Sequence, residues 1–170
     1  MRNKLQLDKA LRKNRGLQIR SKWITKLLEV AGIKLTDKDF LTIEETEILK
    51  QSFFDQVKNV KDVIHQNFPI HSLKDFLSKA QDLAINFHNR PVIVFNDVDK
   101  YIGAVRLSGE QIFPNLENIW DVTGEDLCIT TPDIKDGLCL EFNLYSNAGE
   151  YVKEGVFEFF VWGEFKKIIK

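Results

Sequence analysis

The sequence lacks most features that would assign a function at once. Two cysteines, Cys128 and Cys139, are too few for a disulfide framework. No apolar run approaches the ~18 residues that a membrane span needs. The opening MRNKLQLDKALRKNRG has no apolar stretch of the secretory kind. A cytoplasmic chain without membrane contact is the expectation. The nine glycines are scattered, and neither GxxxxGK(S/T) nor GxGxxG occurs, so no phosphate-cradling loop is expected. His65, His71 and His88 show no i, i+4 pair, HExxH is absent, and the cysteines form no CxxC. There is no GxSxG elbow. Both cysteines fall in strand-like patterns, where buried, inert thiols are the usual outcome. No cofactor, no metal and no enzymatic activity are therefore expected.

What is present is an ordinary globular composition with an uneven charge. The 170 residues are 44% hydrophobic and 29% charged, with 13 Phe. That suits one domain, 1–170, which buries roughly two-thirds of its unfolded surface. The net charge of −1 conceals a split. Residues 1–34 carry ten basic residues against Asp8 and Glu29, whereas residues 96–164 carry fourteen acids against four basic residues. Such asymmetry fits either a charged partner or attraction between the two regions of the fold.

Periodicity divides the chain into a helical part, 1–89, and a strand-rich part, 90–170. Residues 4–14 have helical composition, and Gly16 is expected to interrupt them. A second helix over 17–31 carries Leu17, Trp23, Ile24, Leu27, Leu28 and Ala31 on a stripe and stops at Gly32. Thr42 and Glu45 fit a capping box, opening a helix with Ile43, Ile48, Leu49 and Phe53 inward. Residues 56–67 read as continuing helix, broken at Phe68-Pro69. Ser72 and Asp75 open another helix, Leu73 to about Phe87. Then Val92-Ile93-Val94-Phe95 reads as a buried strand, Asn96–Lys100 as a turn, and Tyr101–Leu107 as a second strand. A short helix over 113–120 precedes strands at Leu127–Thr131, Leu138–Tyr145 and Tyr151–Phe165, the last two joined as a hairpin through Ser146–Gly149. Helices followed by strands predict an α+β fold, with the N-terminal helices packed on one face of a mainly antiparallel C-terminal sheet.

Three groups of residues are candidates for function. Asp97 and Asp99 follow an apolar strand, as Mg²⁺-binding carboxylates do, but better suit an ordinary polar turn. Arg12, Lys13, Arg15 and Arg20 suit phosphate contacts to nucleic acid, but better suit a solvated helix face. The last hairpin mixes acids with aromatics: Glu141, Glu150, Tyr151, Glu154, Glu158, Phe160 and Trp162. Alternation puts Glu154, Glu158, Phe160 and Trp162 on one side of their strand. That mixture suits a protein interface and equally suits a sheet edge guarded by charge.

The segments RPVIVFNDVDKYIGAVRL and EGVFEFFVWGEF resemble bacterial immunity proteins, the cytoplasmic antitoxins carried beside polymorphic or contact-dependent growth-inhibition toxins. The resemblance covers residues 90–165 and leaves the basic N-terminus unmatched. It implies no catalytic residues. It implies a tight complex with a cognate toxin protein, often a nuclease, neutralised by occlusion. Nucleic-acid binding or regulation through the N-terminal helices is the alternative reading.

Overall fold

In the computed structural model, which describes residues 2–59, 64–123, 126–145 and 151–169, the first element is one unbroken helix, α1, Arg2–Ala31. Gly16 does not interrupt it. Gly16 is buried, and a Cβ there would overlap the carbonyl oxygen of Tyr101, so glycine serves a close approach rather than a break. The inward stripe also differs from the expected one. It runs through Gly16, Ile19, Trp23 and Leu27, while Leu17 and Leu28 face solvent.

The second helix, α2, spans Ile43–Asn59 and begins with the predicted capping box. The Glu45 N–H donates to Thr42 Oγ1 at 3.1 Å, and the Thr42 N–H donates to Glu45 Oε2 at 2.8 Å. Of the residues expected inward, Phe53 is buried and Leu49 packs against the core, but Ile43 and Ile48 are exposed. Buried Thr46 turns inward instead. Its hydroxyl accepts the Ala104 N–H at 2.8 Å and pins α2 to the turn beneath it.

Of the residues 56–67 expected as helix, those to Asn59 are helical and 60–63 lie outside the described residues. Ile64–Pro69 is a strand, β1, because Ile64 and Phe68 also share a face at period two. Phe68 stacks on Phe157 and Phe159. Pro69 closes an edge strand, where its missing N–H goes unmissed. The helix expected over 73–87 is split at Gln81-Asp82 into α3, Leu73–Ala80, and α4, Leu83–Phe87, and both bury the predicted face.

The strands are β2, Pro91–Phe95; β3, Val105–Ser108; β4, Asp126–Thr130; β5, Gly137–Tyr145; and β6, Tyr151–Trp162. Between β2 and β3 lies a one-turn helix, α5, Asp99–Ile102, in place of the strand start expected at Tyr101. Asn96 Oδ1 accepts the Val98 N–H at 2.8 Å and starts that turn; Gly103, at φ 81°, releases the chain into β3. Two short helices, α6 (Gly109–Ile112) and α7 (Leu116–Thr123), lead to β4, and α8, Phe165–Ile168, follows β6. The sheet order is β1-β6-β5-β4-β2-β3, and every strand pair is antiparallel.

The fold is thus α+β, as the order of elements predicts. The main core lies on one face of the sheet, where Val94, Ile129, Leu138, Phe159 and Val161 meet Trp23, Leu27, Leu77 and Phe113. Side chains from both halves of the chain build it. On the opposite face α2 contributes a smaller core, in which Phe53 packs with Ile134, Cys139 and Trp162. Cys128 and Cys139 sit directly opposite each other on β4 and β5 and are joined by a disulfide, which corrects the expectation of inert thiols.

Candidate functional site

Register builds the site. On β4, β5 and β6 the partners Asp126↔Glu141 and Glu141↔Glu158 place three carboxylates in one row across the second face of the sheet. The adjacent row holds Cys128, Cys139 and Phe160. Like charges directly opposite on neighbouring strands destabilise a sheet. A fourth carboxylate, Asp97, follows β2 and reaches Asp126 closely enough to share a hydrogen bond with it. Partial burial, then the charge and hydrogen bond of Asp97 and the charge of Glu141, push Asp126 up to about 6.

Next to this row the wall of α2 and the α5 turn enclose a cleft of about 250 Å³. Asp97, Asp99, Asp126 and Glu141 line it, with Phe53, Phe54 and Phe95 as its apolar walls. Lys50 reaches in from α2, its Nζ 2.7 Å from Asp99 Oδ1. Asp99 is fully buried, and desolvation raises its pKa although Lys50 opposes the shift. The Thr46 and Leu41 hydrogen bonds to Ala104 hold α2 and the α5 turn together and so fix the width of the cleft.

The expected site residues separate on this geometry. Glu141, Glu158 and Phe160 share the second face, in neighbouring rows. Tyr151 is exposed at the far end of β6, roughly 20 Å along the strand from Glu158. Trp162 is no surface contact. It is buried against Phe53, and its indole N–H donates to the Ile134 carbonyl at 2.9 Å. Glu150 and the side chain of Glu154 lie outside the described residues, as does the Ser146–Gly149 loop. Asp97 and Asp99 do come to one cleft, yet among the described residues no three His, Cys, Asp or Glu side chains are grouped to hold a metal ion. On α1, Arg20 donates to the Ile102 carbonyl at 2.6 Å, pairs with Asp37 and lies over the Phe40 ring; Arg15 lies over Tyr101. Those two cations therefore tie α1 to the rest of the fold. The side chains of Arg12 and Lys13 fall outside the described residues. His88 is paired with Glu110 at 2.9 Å. Among the described residues no helix is long and apolar enough to cross a membrane.

A protein-family model described as YxiF protein matches residues 24–152. The chain belongs to the YxiF family. The family span holds every residue that lines the cleft, from Lys50 to Glu141, and ends before Glu158. Comparison with curated proteins and with solved structures finds no match.

Sequence reading missed Lys50, Phe53, Asn96 and Asp126 as site residues. The strand register brings Asp126 beside Glu141, and the Thr46–Ala104 hydrogen bond, the Lys50–Asp99 ion pair and Phe53 hold α2 over this face. A usable signal was the spacing of Cys128 and Cys139, which as a cross-strand pair fixes the same register.

Proposed function

We propose that this YxiF-family chain is an immunity protein, which binds a cognate bacterial toxin domain and blocks it by occlusion. The observation that carries the reading is the row of Asp126, Glu141 and Glu158, extended by Asp97. Such a row collects negative charge on one face of the sheet. A cationic partner complements that charge, which speeds encounter. A nuclease is the kind of toxin this suits, because its phosphate-binding groove is basic. The resemblance of residues 90–165 to immunity proteins points the same way, and binding by occlusion asks for no catalytic group.

The test is co-expression with the product of the gene immediately upstream, which the proposal expects to be a toxin domain. Cells expressing that domain alone should stop growing, and cells that also express this chain should grow normally. Growth arrest that persists at equal expression of the two proteins would refute the proposal.

A further inference from the structure

One exposed face of α1 carries no charge. Asn14, Leu17, Ser21, Ile24, Leu28 and Ala31 recur at alternating spacings of three and four, and in the sequence the same spacing runs back through Ala10 and Leu7. Such a repeat draws a stripe along one side of a helix. Leu11, Gln18 and Thr25 flank it. None of these eleven positions is charged, although residues 7–31 hold nine charged side chains. Leu11, Leu17 and Leu28 are 57%, 52% and 49% exposed, and Asn14, Gln18, Ser21 and Thr25 are exposed as well. The stripe lies away from the buried one through Gly16, Trp23 and Leu27. A helix face left to water normally carries charged and polar side chains. A face cleared of charge around apolar side chains fits a protein contact.

What fits this face is a second copy of the chain. α1 holds nine basic residues against Asp8 and Glu29, so a neighbouring α1 is repelled unless the contact is free of cations. The stripe meets that condition. Arg20, beside it, is turned into the fold, onto the Ile102 carbonyl and Asp37; Arg15 lies over Tyr101; Lys22 and Lys26 fall outside the stripe. Asn14 sets the direction. Its amide holds both a donor and an acceptor, so two copies related by a two-fold axis satisfy each other. They meet only when the helices run parallel and in register. An antiparallel pair sets Asn14 against Leu28 or Ala31 and leaves the amide unmatched. A polar Asn in an otherwise apolar seam fixes register in parallel helix pairs. We propose that two copies of the chain pair through this stripe, their α1 helices parallel and in register over about 30 Å. The inner side of α1 joins the main core on one face of the sheet, and the acidic row lies on the other. Pairing through α1 therefore leaves the acidic row of each copy uncovered.

Sedimentation equilibrium of the full chain tests the pairing. At about 100 µM the chain should show about twice its 19.8 kDa mass. Leu17→Glu/Leu28→Glu should weaken self-association at least about tenfold with unchanged circular dichroism, because both side chains are exposed in the single chain. Disulfide trapping reads the direction. Ser21→Cys sets two thiols against each other at the two-fold axis and should give a cross-linked dimer under oxidised glutathione. Lys22→Cys, one residue off the stripe, should cross-link at least about tenfold more slowly. A monomer at that concentration would overturn the pairing and leave the stripe to a different protein. So would a dimer indifferent to Leu17→Glu/Leu28→Glu, or equal cross-linking in Ser21→Cys and Lys22→Cys. No toxin enters these experiments, so their outcome leaves the immunity reading where it stands.

Discussion

Asp126 carries a cost that the sequence around it does not reveal. In the unfolded chain its carboxyl titrates near 3.8; in the native state desolvation, Asp97 and Glu141 raise it to about 6. Between those values the native state holds the additional proton, so stability falls as pH rises through that window, and the full penalty stands above it. Asp126→Asn should therefore stabilise the protein by roughly 1 kcal/mol at about pH 7.5, a figure reduced for partial solvent screening, and by close to nothing at about pH 4. Urea unfolding of both proteins at the two pH values measures this. Loss of stability in the variant at the higher pH would mean that the row is not repulsive. Trp162 teaches a different lesson at the same scale. An aromatic at a strand end reads equally well as an interface anchor or as core, and its indole bond to Ile134 in a small second core decides for core.

At the scale of elements, α1 depends on the absence of a side chain at Gly16. Glycine inside an exposed helix costs about 1 kcal/mol relative to alanine, so Gly16→Ala would stabilise a free helix. Here the added methyl meets the Tyr101 carbonyl, and the variant should lose about 1–3 kcal/mol, read as a lower urea midpoint with unchanged helical circular dichroism. The same position shows how far periodicity carries. The α+β class, the capping box at Thr42, the buried face from Leu73 to Phe87 and the β5–β6 pairing are all local patterns, and all were legible. Three other readings failed, two on long-range facts and one on a local hydrogen bond. Ile64 and Phe68 satisfy both a helical and a strand period, and pairing with β6 selects the strand. Ile43 and Ile48 lie on the helix face that Thr46 turns away from the sheet. The Asn96–Lys100 turn hides a helical turn set by one side-chain hydrogen bond. The site was half legible for the same reason. Its acids stand out in the sequence, whereas the row they form and the cleft beside it exist only through register and the docking of α2.

For the whole molecule, the charge split noted in the sequence resolves into two different surfaces. Basic residues of α1 are partly engaged inside the fold, through Arg15 and Arg20. Five acids of the strand half, Asp97, Asp99, Asp126, Glu141 and Glu158, gather on the second face of the sheet, beside α2, where the row and the cleft adjoin. The disulfide between Cys128 and Cys139 lies beneath both and braces β4 against β5 in the register that aligns the carboxylates. We propose that this face receives a cationic toxin. Calorimetric titration of the toxin domain expected from the upstream gene, purified, into the full chain should give a one-to-one complex. That complex should weaken steeply with added salt and by at least about tenfold in Asp97→Asn/Glu141→Gln. No heat of binding, or binding indifferent to both salt and those substitutions, would contradict it.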